Sequence, residues 1–394
     1  MKLRPVMLAV VLAASAVGVL LEKGSARWNA AEGSFLDFLV ANVRDRFEKG
    51  DVAPAEGVVF VAFEEKDKAE FSAWPPAPLD YIVALRKLKP HEPDVIAFSD
   101  VLKWENHAVQ FVDELQQAMV GFTQVALAFA ATTGVTLESG LVSDDKEVPS
   151  IANVEGDSSS APKISRLIFP EARLSTQMQL GFVATPLEQR AEVPPLLVGR
   201  ADSKLVPSLA TQMIALQTHT PYVSQRLRFG LGAGLYLGGE RFIPLAQDGT
   251  AQPRLAGDVT RVSALDLLTP ELGDAASLAL AEKLGKNKLI ILGTSPSPGE
   301  THARLAAWAL ALPRLTPAPE YIGWIATLIA ALAAGWQLRF GRWGAAVFGM
   351  CALAALLGTV LMVFQSSLTW WLPLLPGALL LAGTVFCVAW PRKA

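Results

Sequence analysis

Residues 58–66 of the chain are Val-Val-Phe-Val-Ala-Phe-Glu-Glu-Lys. The six apolar residues at the start of this stretch predict a short strand that is buried in a hydrophobic core. The charged residues that follow predict that the strand ends at solvent. This stretch therefore places the first strand of a folded domain well inside the chain.

Further segments with strand and helix patterns follow in alternation. A Pro-rich turn after the first strand leads to a predicted helix that Pro90 ends. The predicted strands are Val58–Phe63, Asp94–Phe98, Thr123–Phe129 and Leu289–Gly293. The predicted helices are Leu79–Leu88, Ala108–Met119, Leu278–Leu284 and Ala303–Leu312. Strands that alternate with helices predict an α/β domain with a mainly parallel sheet and right-handed crossovers.

Apolar segments at both ends of the chain predict membrane helices. There is no acidic residue in the first 21 residues or from Tyr321 onward. The four apolar stretches are Pro5–Leu21, Tyr321–Leu338, Trp343–Phe364 and Trp370–Trp390. Each is near the 17–25 residues that a spanning helix needs. The sequence thus predicts one N-terminal anchor (1–21), an exported domain (22–320) and three C-terminal transmembrane helices (321–394).

The charges that flank these stretches predict their orientation. Lys2 and Arg4 precede the first stretch, and the turn 339–342 and the tail 391–394 also carry basic residues, whereas the turn 365–368 is neutral. Because positive loops stay in the cytoplasm, both termini are predicted to be cytoplasmic. The large domain then lies on the periplasmic or extracellular side of a bacterial inner membrane. Gly24–Ala26 leaves open a cleaved signal peptide, which exports the same domain.

The composition of the middle segment limits its partners and its compartment. All 37 acidic residues lie between residues 22 and 320, against 28 basic residues, which gives that segment a formal charge of −9. An acidic domain is a poor partner for nucleic acid. The two cysteines, Cys351 and Cys387, both fall in apolar stretches, so the exported segment needs no disulfide.

No catalytic set is recognisable in the sequence. The four histidines have no metal-ligand spacing, so the sequence predicts no enzyme, no cofactor and no metal centre. An outward-facing hydrolase that uses the carboxylates is the remaining enzymatic alternative.

A candidate ligand site lies where the predicted strands end. Open α/β sheets bind ligands beyond the carboxyl ends of their strands. Glu64, Glu65, Asp100 and Thr294 would lie at that edge. Their oxygen atoms would suit a cationic ligand or a divalent ion. The alternative is that they cap helices and face water.

Several short motifs follow one another in a recognisable order. They are the strand Val58–Phe63 with its acidic end, Trp74-Pro75, the strand Asp94–Phe98 with Asp100, Gly181-Phe182, Val206–Ala210, Arg241–Leu245, Leu289–Thr294 and His302-Ala303. Their order resembles that of the CHASE type 2 family, the cyclase- and histidine-kinase-associated sensory domain. The predicted anchor before the domain and the three helices after it also match the family's layout. The resemblance covers nearly the whole chain.

The resemblance implies a membrane-anchored extracytoplasmic sensor. Family members usually continue into a cytoplasmic kinase or cyclase, and the chain contains neither, so its signal would pass to a membrane or cytoplasmic signalling protein. Several family positions differ: Glu64 replaces an Asp, Pro76–Pro78 replace an aromatic and an Arg, and the loop from Gly293 to His302 is short and lacks its Asp. These differences favour a rival interpretation, a structural or accessory subunit of a cell-envelope complex whose exported domain binds protein. Self-association into a homo-oligomer is compatible with both.

Overall fold

The structure is a computed structural model of the chain. It describes residues 3–22, 25–43, 47, 57–105, 109–133, 148–176, 178–186, 196–229, 233–238, 240–246, 250–251, 259–269, 274–286 and 288–389. Lys2 and the basic tail, on which part of the predicted orientation depends, lie outside the described residues.

The described residues form helices that we number in chain order. They are α1 Leu3–Glu22, α2 Ala26–Val43, α3 Pro78–Leu88, α4 Val109–Val120, α5 Ala172–Ser175, α6 Leu209–Gln217, α7 Ala264–Leu268, α8 Asp274–Leu284, α9 Pro298–Ala311, α10 Glu320–Trp336, α11 Arg342–Ser367 and α12 Leu374–Ala389.

The strands are numbered in the same way. They are β1 Val58–Glu64, β2 Val95–Phe98, β3 Val125–Thr133, β4 Asn153–Glu155, β5 Ile164–Ile168, β6 Gln179–Pro186, β7 Val198–Ala201, β8 Lys204–Pro207, β9 Gln225–Arg228, β10 Gly234–Leu237, β11 Arg241–Pro244, β12 Thr260–Ser263, β13 Leu289–Ser295, β14 Thr316–Pro317 and β15 Thr369–Trp370.

The chain divides into two compact units, residues 1–44 with 314–394 and residues 45–313. The predicted boundaries at residues 22 and 320 mark where the chain would leave the membrane, which is a different property, and they stay predictions.

A mainly parallel sheet forms the centre of the second unit. The strand order is β12-β1-β13-β2-β3-β6, and all of these neighbours are parallel. β5 pairs antiparallel with the last residues of β3, beyond the end of β2. This arrangement confirms the predicted mixed α/β class with a mainly parallel sheet. All four predicted strands are present, although β3 extends four residues further than predicted.

The two faces of this sheet bury alternate residues of the same strands. In β1, Val59, Val61 and Phe63 pack with helices α3, α4 and α7, while Val58, Phe60 and Ala62 pack with α6 and α9. This is the period-two geometry of a strand that is covered on both sides. The result is a three-layer α/β/α arrangement. The small sheet β11-β10-β9-β4 joins the core that contains α6 and α9.

The first unit is a bundle of apolar helices. α1, α10 and α11 are long and apolar enough to cross a membrane, and many of their large apolar side chains are exposed, among them Val10, Leu328 and Met362. Such an apolar exterior suits lipid rather than water. The structure also contains helix α2, which we did not predict from the sequence because Asn29, Glu32 and Asp37 interrupt its apolar pattern.

The fourth predicted membrane span is shorter than expected. α12 begins at Leu374 and has 16 residues, or about 24 Å at 1.5 Å per residue, which is less than the roughly 30 Å of a bilayer core. Two features explain the late start: Pro373 disfavours helical backbone before it, and Thr369–Trp370 pair with Thr316–Pro317 as a short strand. α12 contacts α1, α10 and α11 on one side, whereas Leu381 and Val385 on its other side are exposed.

Candidate functional site at the carboxyl edge of the sheet

Three adjacent strands bring most of the predicted site residues to one edge of the sheet. β13 lies between β1 and β2, and the register pairs Phe63 with Thr294 and Glu64 with Ser295. Asp100 follows the end of β2 by two residues. The parallel strands therefore place Glu64, Asp100 and Thr294 at the same edge, as the pattern of strands predicted.

Asp100 is bonded to the end of β13 and to helix α3. Its Oδ2 accepts hydrogen bonds from the Thr294 backbone amide at 2.8 Å and from the Tyr81 hydroxyl at 2.9 Å. Its Oδ1 accepts one from Thr294 Oγ1 at 2.9 Å. Three donors therefore surround this carboxylate.

Burial sets the protonation behaviour of this cluster. Desolvation raises the pKa of Asp100, and the hydrogen bonds from Thr294 and Tyr81 oppose the rise only in part. Burial, followed by the nearby charge of Asp100, raises the pKa of Tyr81 well above its ordinary value of 10.0. Tyr81 therefore stays a hydrogen-bond donor at physiological pH.

Two glycines next to the Asp100 cluster allow helix α9 to approach the strand ends closely. Ser99 is buried, and its hydroxyl donates to the Leu292 carbonyl oxygen at 3.2 Å. A Cβ atom on either Gly293 or Gly299 would collide with Ser99 Oγ. Glycine at both positions thus lets the first turn of α9 lie against the ends of β2 and β13. Ser297 caps this helix by accepting from the Gly299 amide at 3.2 Å.

Glu64 is paired with cations of the chain itself. It forms an ion pair with Lys66, and its Oε1 accepts from Arg261 Nη2 at 2.9 Å. The hydrogen bond from Lys66 lowers the pKa of Glu64, and the charges of Lys66 and Arg261 add to this effect against the cost of burial.

Arg261 extends this pairing from the sheet to helix α9. Its Nη2 also donates to Ser295 Oγ at 2.7 Å, and its Nη1 lies 3.6 Å from Glu300 Oε2. Glu300 in turn accepts from Arg304 at 3.0 Å. The ion pairs of Lys66, Glu64, Arg261, Glu300 and Arg304 connect β1, β12 and α9, and we call these five residues the edge network.

Glu65 does not join either group of contacts. It is exposed at the start of a short 3-10 helix, with its carboxylate 4.0 Å from Lys68. Glu64 occupies the N-cap position of the same helix without a capping hydrogen bond. The alternative that these acids only cap helices and face water therefore does not describe Glu64 or Asp100, which cross-link elements distant in sequence.

The chemistry of this edge follows from these pairings. Each carboxylate that the sequence placed there already has donors or cations from the chain. Within the described residues, no group of three or more His, Cys, Asp or Glu could hold a metal ion. The assignment of Glu64, Glu65, Asp100 and Thr294 to a ligand site stays a prediction, and ligand entry there would require the edge network to open.

Sequence reasoning missed the residues that partner these acids. Tyr81 and Lys66 stand in predicted elements or next to them, but Arg261 lies in β12, a four-residue strand that was not predicted. Val262 is the single apolar residue of Thr260–Ser263, so neither an apolar run nor an alternation marks this strand in the sequence.

Comparison with known protein families gives one match. The family model described as CHASE2 domain matches residues 7–384. Comparisons with curated proteins and with solved structures gave no significant match.

Proposed function

The chain belongs to the CHASE2 domain family of extracellular sensor domains, and from this premise we propose that it is a membrane-anchored sensor that passes its signal to a separate partner protein. The match confirms the resemblance inferred from the motif order. The chain would have no enzymatic activity of its own, and the partner would be a signalling protein in the membrane or the cytoplasm.

The helices at the two ends of the chain support a place in a bacterial inner membrane. We propose four spans with both termini in the cytoplasm and the α/β unit outside. α12 is short, but it packs against α1, α10 and α11, and local thinning of the bilayer accommodates a span of this length at a modest cost. The acidic charge of residues 22–320 argues against nucleic acid as a ligand, because binding to phosphates needs clustered basic residues.

The observation that carries the proposal is the position of α9 in the chain. Glu300 in its first turn contacts Arg261 of the edge network, and its buried residues pack with β1 and β13. The same helix ends at Ala311 and is followed, after residues 312–319, by α10. A ligand that opened the edge network would change the contacts of the helix that leads into the apolar bundle.

This coupling can be tested in the full chain reconstituted in lipid nanodiscs. A spin label on Cys351 in α11, with Cys387 replaced by Ala, reports the mobility of the bundle. Glu300→Gln removes the carboxylate shared by Arg261 and Arg304, so we expect it to change the spectrum of the label. Glu282→Gln, on the exposed surface of α8, is the matched control. An unchanged spectrum in Glu300→Gln would reject coupling through α9.

The pairing at the carboxyl edge favours a second candidate function. An edge whose acids already have partners within the chain is poorly prepared for a small cation, which favours an accessory subunit that binds protein. Chemical cross-linking in native membranes, followed by purification of the chain, separates the two. A kinase or cyclase recovered in stoichiometric amount supports the sensor, whereas a structural envelope component recovered in that amount supports the subunit.

A further inference from the structure

A second cleft lies at the opposite edge of the central sheet, where the strands begin. Gln124 directly precedes β3, and Gln179 is the first residue of β6, the parallel neighbour of β3. The end of α6 and the start of β9 complete the walls. The cleft has a volume of about 240 Å³.

Six of the nine lining residues carry polar side chains. They are Gln124, Gln179, Gln212, His219, Thr220 and Gln225, and we call the space between them the amide cleft. No Asp, Glu, Lys or Arg is among the described residues that line it. A charged ligand would therefore lose its hydration without gaining a counter-charge from a carboxylate, a lysine or an arginine.

Gln225 is the observation that points to a ligand. Gln225 is one of the residues that line the cleft, it is 1% exposed, and its Oε1 has no hydrogen-bond partner among the described residues. The burial pattern of β9 calls for an apolar residue here, because Gln225 and Leu227 are its buried positions and Gln225 is paired with the buried Leu237 of β10. A buried acceptor in place of an apolar side chain is costly unless a donor from outside reaches it.

Other amides of the cleft are already held in position. Gln124 Nε2 lies 2.8 Å from His219 Nδ1, and Gln212 Nε2 donates to the Leu180 carbonyl oxygen at 2.9 Å. His219 adopts a left-handed backbone conformation with φ of 49° just after the end of α6. Polar groups fixed in this way can select a ligand without being reordered on binding.

The remaining wall of the cleft restricts the ligand further. Leu216 and Pro221 give it an apolar side, and none of the described lining residues is Phe, Tyr or Trp, so the small ring of His219, already in contact with Gln124, is all that the lining offers a nucleobase for stacking. The volume is below the roughly 300–1,000 Å³ of sites for drug-sized molecules. The ligand that fits is small, uncharged, rich in hydroxyl groups and apolar on one face.

We propose that the amide cleft binds one neutral sugar ring. Carboxamides both donate and accept, as hydroxyl groups do, and a sugar hydroxyl can donate to Gln225 Oε1 while the C–H face of the ring lies on Leu216 and Pro221. A sugar ligand would serve the proposed sensing function, on which its assignment rests.

The test measures sugar binding to the purified full chain in nanodiscs, by thermal shift and by saturation-transfer NMR. The probes are glucose, N-acetylglucosamine and maltose, with glucuronate and glucose 6-phosphate as charged counterparts. We expect at least one neutral probe to bind and neither charged probe to do so. Maltose distinguishes the end of a glucan from a free monosaccharide.

Three substitutions test whether the sugar binds in the amide cleft. Gln225→Leu removes the orphan oxygen and should fold at least as well as wild type, while Kd rises at least about tenfold. Gln179→Leu, at a half-buried position, should have the same effect. The control is Gln217→Leu, because Gln217 also has a buried Oε1 without a described partner but does not line the cleft.

Three results would overturn the proposal: binding of no neutral probe, equal binding of the charged probes, or binding that survives both cleft variants. None of them bears on the Glu300→Gln experiment, so failure of the sugar site and failure of the sensor proposal remain distinguishable.

Discussion

Asp100 accepts hydrogen bonds from both the backbone amide and the hydroxyl of Thr294, a residue 194 positions further along the chain. Because Asp100 follows β2 and Thr294 is the penultimate residue of β13, the two bonds tie the ends of adjacent strands. The third bond, from Tyr81, adds helix α3 to the same carboxylate. The acid that sequence reasoning assigned to a ligand thus has an internal role in the structure.

The first prediction concerns this cross-link. In Asp100→Asn, an amide N–H₂ replaces one acceptor oxygen and faces a donor, so we expect the α/β unit to lose about 1–3 kcal/mol of stability. Thr294→Val keeps the backbone bond and should lose less. Thermal unfolding followed by tryptophan fluorescence measures both variants.

Glu65→Gln is the control for this comparison, since exposed substitutions of this kind usually change stability by no more than about 0.5 kcal/mol. Asp100→Asn with the stability of wild type would show that the three bonds contribute nothing net to the fold.

The parallel sheet and the placement of its acids were predictable from the sequence, but their partners were not. Apolar runs such as Val58–Phe63 identify strands locally, and parallel strands must present their carboxyl ends at one edge. Whether Glu64 faces an incoming ligand or the guanidinium of Arg261 depends on contacts between residues 197 positions apart. No local pattern carries that information.

The predicted membrane helices also show where a local sequence pattern stops being sufficient. Hydropathy alone extends the last predicted span from Trp370, whereas backbone chemistry at Pro373 delays the helix to Leu374. The amide cleft was also missed, because its glutamines lie just before β3 and in β6, α6 and β9, and only the fold brings them together.

The second prediction concerns helix packing in the bundle. A Cβ atom on Gly383 of α12 would lie 2.8 Å from Ala334 Cβ and 3.2 Å from Ala334 Cα of α10. Gly383→Leu must therefore separate the two helices, and overpacking of this kind usually costs about 1–3 kcal/mol. The thermal stability of the full chain in detergent should fall.

Gly358→Leu provides the matched control, because no described atom lies within 4 Å of the Cβ position at Gly358. If both variants melt alike, close approach at Gly383 does not stabilise the bundle.

The third prediction concerns membrane topology. Because α12 is short, the main question is whether this helix crosses the membrane. Alkaline phosphatase is active only when it is exported. With four spans, a fusion within residues 365–368 should be active, and fusions within 339–342 and at the C-terminus should be inactive. If α12 does not cross, the C-terminal fusion becomes active while the one within 339–342 stays inactive. Activity within 339–342 would contradict the orientation as a whole.

The fourth prediction rests on a buried histidine that connects two helices on the same face of the central sheet. His302 of α9 is 6% exposed, and its Nδ1 accepts from the Ala210 amide of α6 at 3.4 Å. Burial lowers its pKa from 6.5 to about 4. The folded state therefore keeps His302 neutral over a pH range in which the unfolded chain binds a proton.

This difference makes stability fall with acid. Above pH 6.5, His302 is neutral in both the folded and the unfolded chain and costs no stability. As the pH falls from 6.5 toward 4, the free energy of unfolding decreases by about 1.4 kcal/mol per pH unit, or about 3 kcal/mol in all. His302→Gln keeps an acceptor for the Ala210 amide but cannot titrate, so its loss of stability between pH 7 and pH 4 should be smaller than that of wild type by about this amount. Denaturant unfolding of both proteins at pH 7 and pH 4 measures how much stability each one loses. All other titrating groups are the same in the two proteins, so their contributions cancel when the two losses are subtracted. Equal acid sensitivity in the two proteins would mean that His302 is protonated as easily in the folded chain as in the unfolded one.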